Sequence, residues 1–554
     1  MTPAPLERVV LRHWRQGERR DLTGRQLWRR AAALSAWIAA RTPPGALVLV
    51  VGAAGPEVMA LILGIIAAGR VASCMPPASP RQDAAHFFAQ QRAAFRAIDP
   101  AAICVPDAAT AETVRRIDPA LAARVLVVPA GVPGDDAHCG TGALDAFRAR
   151  LASDAAIFMQ HSSGTTGLKK AVPVSGRMLA GQFAAYWPGL RAELGVARLS
   201  VATWLPLYHD MGLLAGFLLP VLGGDCLSVL DPFEWIGTPG RFLEMIAADG
   251  CDICWMPNFA FRHFTRLRRS LGPQRLRSMR LWVDCSEPCR LADARDFEAA
   301  FAEDGVRPGS VVGCYAMAET VFAVSQGSPA ERIGLEVPPE VTIGASLRDA
   351  RLLPQGERLV LSSGRPLPGV EVAVFDGNRA LPTGHYGEIG LRADFLFPAY
   401  RHRDAAESGI GADGFFRTGD LGAVLGGQVF VFGRLKEVVI VNGKNIFVHD
   451  VEAALAAIPG LRAGRIAAFG LDSDRTGSED LIVVAEHDAE SGVAATQCRA
   501  AISRHLADTL LVTPRDVRIV AGPWLVKAGS GKISRDENRR RYLAQFRQPE
   551  PNQE

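Results

Sequence analysis

Short and nearly continuous runs of apolar residues recur through the first half of the chain. Runs of this kind are typical of strands in parallel sheets, which are buried on both faces. Turn or helical patterns separate most of them. The runs predict strands at residues 46–52, 102–105, 125–128, 155–160, 199–205, 226–230, 253–256 and 281–285.

Helical periodicity appears between the predicted strands. Leu27, Ala31, Leu34 and Ile38 recur at helical spacing and predict a helix over residues 25–40. A second helix is expected at residues 57–68. The alternation of strands and helices predicts an α/β fold, with two mostly parallel sheets covered by helices. The most apolar runs, 58–69 and 211–224, are too short to span a bilayer and predict buried helices.

The pattern changes from about residue 310 to shorter β-rich pieces separated by turn residues. Candidate strands at 359–363, 371–375, 387–392 and 428–432 predict a small β-barrel or antiparallel sheet. After Lys436 the alternation of strands and helices resumes. We therefore expect an N-terminal domain over residues 1–433, with a β-rich subdomain at about 340–432. A smaller α+β domain is expected over residues 434–554.

Composition excludes several classes of function. A net charge of +3 on 554 residues gives no basic field for nucleic acid. The chain has one Cys-x-x-Cys pair, Cys251 and Cys254, and its apolar neighbours predict a packed strand rather than a metal site. The N-terminus lacks the apolar core of a secretory signal, so we expect a cytoplasmic protein without an integral membrane segment.

The segment Ser162-Ser-Gly-Thr-Thr-Gly-Leu-Lys-Lys170 carries candidate chemistry directly after a predicted strand. Glycines let a backbone turn its N–H groups toward an anion, while hydroxyls and lysine add donors and charge. The pattern suits a polyphosphate, although a polar surface turn explains its composition equally well. It is not a Walker A loop, because the Gly-x4-Gly-Lys-Ser/Thr spacing is absent.

Further blocks follow in a fixed order and identify a family resemblance. They are Trp204-Leu-Pro-Leu-Tyr-His-Asp-Met-Gly212, Tyr315-Ala-Met-Ala-Glu-Thr320, Arg417-Thr-Gly-Asp420, Gly433-Arg-Leu-Lys436 with Gly443-Lys-Asn445, and Gly529-Ser-Gly-Lys-Ile-Ser534. With the loop at 162–170, the chain resembles the adenylate-forming (AMP-binding) superfamily of acyl-CoA synthetases, adenylation domains and luciferases. The resemblance runs from about residue 20 to 545. It implies a mobile C-terminal domain that rotates near Lys436.

The resemblance also implies roles for individual residues. Lys532 would stabilise the transferring phosphoryl group, and we place His209 and Glu319 with it as catalytic residues. Glu319, with Thr166, would hold Mg²⁺, Asp420 would accept the ribose hydroxyls of ATP, and Arg434 would lie nearby. The remaining expected nucleotide-binding residues are Ser162, Ser163, Gly164, Thr165, Thr166, Gly167, Lys170, Ser286, Glu287, Pro288, Tyr315, Ala316 and Thr320.

Local sequence favours one branch of the superfamily. His209 stands where domains specific for α-amino acids carry aspartate, which argues against such a substrate. The 204–212 block and Pro257-Asn-Phe-Ala-Phe261 look most like fatty acyl-AMP ligases. The length of the chain between Glu319 and Gly364 agrees with an insertion found in those enzymes, which would be residues 325–358, and a tolerated surface loop is the alternative. The expected reaction is activation of a fatty acid with ATP, followed by transfer to an acyl carrier protein. The alternatives are an acyl-CoA ligase and a silent adenylate-binding protein, and the sequence does not specify the acid, its chain length, the pathway or the oligomeric state.

Overall fold

The computed structural model describes residues 6–77, 84–130, 140–162, 170–286, 289–336, 341–354, 359–403, 407–441, 444–473, 478–510, 512–527 and 533–546. Within these residues the first strands are β1 (Val9–Arg15), β2 (Glu18–Thr23), β3 (Leu47–Val51), β4 (Val71–Met75), β5 (Ala102–Val105), β6 (Val125–Val127), β7 (Ala156–Ser162), β8 (Lys170–Ser175), β9 (Ser200–Thr203), β10 (Cys226–Leu230), β11 (Ile253–Met256), β12 (Leu281–Cys285), β13 (Val311–Ala316) and β14 (Ala323–Gln326). The helices between them are α1 (Gly24–Ala39), α2 (Pro56–Ala67), α3 (Ala84–Ile98), α4 (Ala108–Ile117), α5 (Gly140–Arg150), α6 (Gly176–Leu194), α7 (Asp210–Leu213), α8 (Leu219–Gly223), α9 (Pro232–Gly237), α10 (Gly240–Asp249), α11 (Asn258–Leu267) and α12 (Leu291–Ala300).

One sheet has the order β6-β5-β3-β4-β7-β8, and its pairs are parallel except for the β7–β8 pair. Both faces are buried, as the apolar runs predicted. Val48 and Val50 of β3 enter the largest hydrophobic cluster, whereas Leu49 on the opposite face joins a second cluster with Phe95 and Val114. A strand with core on both sides requires apolar residues at every position. Alternate residues of β3 therefore pack into two different hydrophobic clusters.

The second sheet contains nine described strands, of which the middle ones are parallel. Its order is β18-β14-β13-β12-β11-β9-β10-β1-β2, where β18 is Arg365–Pro366. The edge pairs β1–β2, β13–β14 and β14–β18 are antiparallel. The β1–β2 hairpin was not predicted, because β2 is mostly polar and exposed at the sheet edge. The parallel strands β12 and β13 end side by side, so Ser286 and Tyr315 lie close together at the carboxyl ends of these strands.

Shorter strands follow, as the sequence indicated. They are β15 (Gly334–Glu336), β16 (Leu352–Leu353), β17 (Leu359–Leu361), β18, β19 (Val370–Asp376), β20 (Arg379–Leu381), β21 (Gly387–Ala393), β22 (Phe416–Leu425) and β23 (Gln428–Arg434). They form a three-stranded sheet β16-β15-β17 and an antiparallel sheet β20-β19-β21-β22-β23. The mixed α/β architecture is confirmed. Closure of the antiparallel strands into a barrel stays a prediction.

The last part of the chain has its own hydrophobic clusters. Its elements are β24 (Val438–Val441), β25 (Lys444–Phe447), α13 (Val448–Leu455), β26 (Leu461–Ser473), β27 (Ser478–His487), α14 (Ala495–Leu510), β28 (Asp516–Val520) and α15 (Arg535–Phe546). Two clusters lie entirely beyond Val438, one around Val451 and Ile502 and the other around Phe469 and Trp524. The separate cores agree with a C-terminal domain, whose boundary at 434 stays a prediction.

The apolar run at 211–224 forms consecutive short helical pieces. After α7 the chain forms a π-helix at Leu214–Leu218 and continues into α8. All five residues of the π-helix are buried. Across the described ranges, no helix combines the length and apolar character needed to cross a bilayer.

Candidate active site

Tyr315, Asp420 and Arg434 form one connected group where the carboxyl end of β13 meets β22 and β23. Asp420 and Arg434 are opposed partners on β22 and β23, so the antiparallel register sets their side chains together. The Tyr315 hydroxyl donates to Asp420 Oδ2 at 2.6 Å, and Arg434 Nε donates to Asp420 Oδ1 at 3.2 Å. Three residues that the sequence placed around the nucleoside are therefore brought into contact.

Burial dominates the electrostatics of this group. Asp420 is 6% exposed, and desolvation raises the pKa of its carboxyl above the ordinary value, while the Arg434 charge and the Tyr315 hydrogen bond oppose that rise. Burial, followed by the charge of Asp420, raises the pKa of Tyr315 well above the ordinary value. Tyr315 therefore remains a neutral donor. A carboxylate with an arginine and a hydroxyl beside it has acceptor capacity left for ligand hydroxyls.

A second group joins Glu319, Tyr400 and Lys170. Glu319 follows β13 and is 7% exposed, and its Oε1 accepts a hydrogen bond from the Tyr400 hydroxyl at 2.7 Å. The Lys170 ammonium lies 4.4 Å from the centre of the Tyr400 ring. Burial raises the pKa of Glu319 and lowers that of Lys170, because it disfavours the charged form of each. An acid, a phenol and an amine thus meet at the start of β8.

Tyr400 was not among the expected site residues, and it lies 81 residues from Glu319 along the chain. It stands in a loop after β21 and belongs to none of the recognised blocks. Two backbone bonds hold this loop in place. Phe397 N donates to Glu319 O at 2.8 Å, and Arg401 N donates to Ala171 O at 2.9 Å.

The backbone around the two groups is unusual. Ser286 and Val321 have φ angles of +73° and +66°, which non-glycine residues rarely adopt. Strained residues of this kind cluster at functional sites, where surrounding structure holds them. Gln160 of β7 provides one restraint, since its Nε2 donates to Val321 O at 2.7 Å. The Thr320 hydroxyl is fully buried and lies 3.2 Å from the carbonyl oxygens of Met317 and Phe322, so it holds the turn.

A cavity of about 1590 Å³ opens beside these groups. Its lining includes Ser286, Tyr315, Ala316, Asp420 and Arg434, which were expected from the sequence to bind nucleotide. Its apolar flank contains Trp204, Pro206, Tyr208, Phe233, Ile236 and Phe259. Lys527 and Ile533 line the same cavity from the C-terminal part. The cavity thus joins residues from both predicted domains.

Several expected site residues lie outside the described residues. They are Ser163, Gly164, Thr165, Thr166, Gly167, Glu287, Pro288 and Lys532, and of Ser162 only the backbone is described. His209 is described and precedes α7, where its Nδ1 lies 2.6 Å from Asp210 Oδ1. Its neighbours Pro206 and Tyr208 line the cavity.

The residues on either side of 528–532 are held by one buried amide. Asn538 of α15 is fully buried and accepts from Val526 N at 2.9 Å. Its Nδ2 lies 2.9 Å from Val526 O and 2.7 Å from Ser534 O. Ser534 N also donates to Val526 O at 3.0 Å, and Lys527 pairs with Ile533 as a β-bridge. The two ends of this segment are therefore fixed to each other.

The donor set fits a magnesium ion that arrives with a polyphosphate. Among the described residues no three His, Cys, Asp or Glu side chains converge as a metal site. Glu319 offers a single buried carboxylate, and Lys170 lies close by as a cation suited to phosphate. Mg²⁺ commonly uses one or two carboxylates together with substrate phosphates. Glu319 would thus supply one oxygen ligand.

Comparison with known proteins identifies the family. A sequence model described as AMP-binding enzyme matches residues 3–401. The match spans most of the chain, so the chain belongs to the family of AMP-binding enzymes.

Individual relatives extend the comparison. The long-chain-fatty-acid–AMP ligase FadD32 of Mycolicibacterium smegmatis is 28% identical over 592 residues, which cover 96% of this chain and 90% of that protein. The medium-chain-fatty-acid–[acyl-carrier-protein] ligase JamA of Moorena producens is 29% identical over 419 residues, covering 71% of this chain and 68% of that protein. A solved structure from studies of fatty acyl-adenylate ligases of E. coli and L. pneumophila has a TM-score of 0.79 and 20% identity, covering 97% of this chain and 95% of that chain. This structural likeness supports the fold.

Proposed function

We propose that the chain activates a fatty acid with ATP and passes the acyl group to the phosphopantetheine thiol of an acyl carrier protein. The contact of Tyr315 and Arg434 with the buried carboxylate of Asp420 carries the proposal. The group offers a phenol ring, a charged acceptor and a cation, which suit a base, a ribose and a phosphate. That the ligand is an adenine nucleotide is inferred from membership of the family of AMP-binding enzymes.

In the proposed first step, a carboxylate oxygen of the acid attacks the α-phosphorus of ATP. The bond from that phosphorus to the bridging oxygen breaks, and pyrophosphate leaves with the electron pair. Lys170, whose ammonium now lies 4.4 Å from the centre of the Tyr400 ring, would instead contact a phosphate oxygen. Mg²⁺ bound at Glu319 would neutralise phosphate charge. Lys532 would contribute a further cation, and its neighbours Lys527 and Ile533 line the cavity that Asp420 also lines.

In the proposed second step, a thiol attacks the acyl carbon and AMP leaves. Two observations favour a carrier protein over coenzyme A as the owner of this thiol. JamA, a relative, is an acyl-carrier-protein ligase by name. In addition, Leu335, Val341 and Leu347 of the 325–358 segment share a buried cluster with Phe447 from beyond the predicted hinge. A packed insertion at this position agrees with the resemblance to fatty acyl-AMP ligases.

The test incubates the protein with ATP, Mg²⁺ and a panel of fatty acids of graded chain length. Acid-dependent exchange between ATP and pyrophosphate reports the first step. Mass spectrometry after addition of coenzyme A or phosphopantetheinylated carrier protein reports the second. The matched control is the same carrier protein without its phosphopantetheine group.

We expect exchange with at least one acid and acylation of the modified carrier protein alone. Rapid thioester formation with coenzyme A, and none with the carrier protein, would instead support an acyl-CoA ligase. Absence of exchange across the panel would favour a silent adenylate-binding protein.

A further inference from the structure

An ion pair joins the segment between β12 and α12 to helix α13. Arg290 stands between β12 and α12 and lines the cavity, and its Nη2 donates to Asp450 Oδ1. His449 Nε2 lies 3.4 Å from the same Asp450 oxygen. Arg290 precedes the predicted hinge at Lys436, whereas His449 and Asp450 follow it. The contact therefore spans the hinge.

Arg290 is anchored on its own side of the hinge. Its backbone forms a β-bridge with Val360, and its carbonyl accepts from Ala294 N in the first turn of α12. The side chains of Arg290 and Asp450 are 26% and 39% exposed. The pair is thus partly hydrated, so it can break without leaving a charge in a dry interior.

Close packing at the hinge accompanies the ion pair. Gly433, the last residue but one of β23, has a φ of +152°, and a Cβ built on it would stand 2.7 Å from His449 Cε1. The absence of a side chain at Gly433 lets the imidazole lie against the strand. The position of α13 is thus defined by contact at Gly433 and by charge at Arg290.

Arg535 ties the start of α15 to the same helix. Its guanidinium donates to both carboxylate oxygens of Glu452 in α13, at 3.1 and 2.7 Å. It also donates to Glu437, beside the hinge lysine, at 2.8 Å. A bidentate arginine–carboxylate pair restricts orientation as well as distance. Whatever fixes α13 therefore also fixes the start of α15.

We infer that Arg290 and Asp450 are positioning residues that hold α13 in the orientation required for adenylation, and that their ion pair separates before thioester formation. The inference rests on the proposed function. Neither side chain needs to touch ATP for this role. The pair acts on the equilibrium between two domain orientations, so it affects the two half-reactions differently.

The experiment measures both steps in Arg290→Gln, Asp450→Asn and the charge-swapped double variant Arg290→Glu/Asp450→Arg. ATP–pyrophosphate exchange reports adenylation, and acylation of modified carrier protein from supplied acyl-adenylate reports transfer. We expect each single variant to lower kcat for exchange by about two- to fivefold, the upper part of the range for an exposed ion pair. KM for ATP and the transfer rate should stay within about twofold of the wild type. The swap should restore most of the lost exchange.

Arg392→Gln is the matched control. It breaks an exposed ion pair with Glu371 between β19 and β21, entirely ahead of the hinge. Both steps should be unchanged in this variant.

The outcomes separate this inference from the proposed function. If the wild type catalyses exchange and both single variants do so at the same rate, the inference is overturned and the proposed function stands. Loss of exchange in Arg290→Gln but not in Asp450→Asn would overturn the inference in the same way. A single variant that misfolds would lose both adenylation and transfer. In that case the double variant decides whether the ion pair has the inferred role. Recovery of exchange in it supports the ion pair, and failure to recover overturns it. Absence of wild-type exchange would overturn the proposed function and this inference with it.

Discussion

Replacement of Asp420 by asparagine removes a negative charge from the centre of the site and keeps the shape of the side chain. The carboxylate accepts from the Tyr315 hydroxyl at 2.6 Å and from Arg434 Nε at 3.2 Å. An amide offers one acceptor oxygen in place of two. In the proposed complex, one ribose hydroxyl would therefore lose its acceptor and the other would bond to a neutral oxygen.

The magnitude follows from these contacts. A hydrogen bond to a charged group contributes about 1.5 to 3 kcal/mol. Loss of one such bond and weakening of another should cost about 2 to 4 kcal/mol, or about 30- to 1000-fold in kcat/KM for ATP. Tyr315→Phe is the comparison variant, because it removes one hydroxyl and leaves the carboxylate. Its loss should be about 1 kcal/mol, or roughly fivefold.

ATP–pyrophosphate exchange at varied concentrations of ATP and acid measures both variants. KM for the acid serves as the internal control and should stay within about twofold in Asp420→Asn. Thermal unfolding should change little, since Arg434 is 45% exposed and can be hydrated when its partner loses charge. An unchanged kcat/KM for ATP, or an equal change in the KM values of ATP and acid, would refute the assignment of Asp420 to the ribose.

Other perturbations test the remaining assignments. Lys532→Ala should abolish exchange and leave transfer from supplied acyl-adenylate intact, and equal loss of both steps would contradict the division of labour between the domains. Tyr400→Phe removes the donor to Glu319, so the Mg²⁺ concentration for half-maximal exchange should shift by about threefold or more, as a Mg²⁺ titration would show. Burial lowers the pKa of His449 in the folded protein. As the pH falls below about 6.5, this imidazole is therefore protonated in the unfolded chain before it is protonated in the folded one, and the free energy of unfolding decreases. The fall in melting temperature between pH 7 and 5 should be shallower in His449→Asn, and an equal slope would argue against a neutral buried imidazole.

The local pattern of apolar residues was sufficient to predict most of the parallel strands. The predicted bounds at 102–105, 226–230, 253–256 and 281–285 coincide with β5, β10, β11 and β12. These strands are buried on both faces, so their whole environment appears as an unbroken apolar run. The hairpin β1–β2 has no such run, because one of its strands lies at an exposed edge. Tertiary pairing, which no local window contains, determines its conformation.

Site prediction had a similar limit. Residues within recognised blocks, such as Asp420 and Arg434, became candidates because the blocks mark them. Tyr400 and Arg290 were not, because their partners lie 81 and 160 residues away. Nor does any local pattern indicate that Arg541 donates to Trp524 O at 2.7 Å and lies over the Trp524 ring. A side chain whose role depends on one distant partner leaves no periodic or compositional trace.

The buried amide of Asn538 has a consequence for how this protein could be redesigned. It clamps the chain at Val526 and Ser534, so the residues between these points begin and end at fixed positions. Because Asn538 holds both anchors, substitutions between them should leave Val526, Ser534 and the start of α15 in place. Directed evolution could therefore randomise residues 528–531 around a retained Lys532 without perturbing the fold. Asn538 itself should tolerate almost no replacement in such a library.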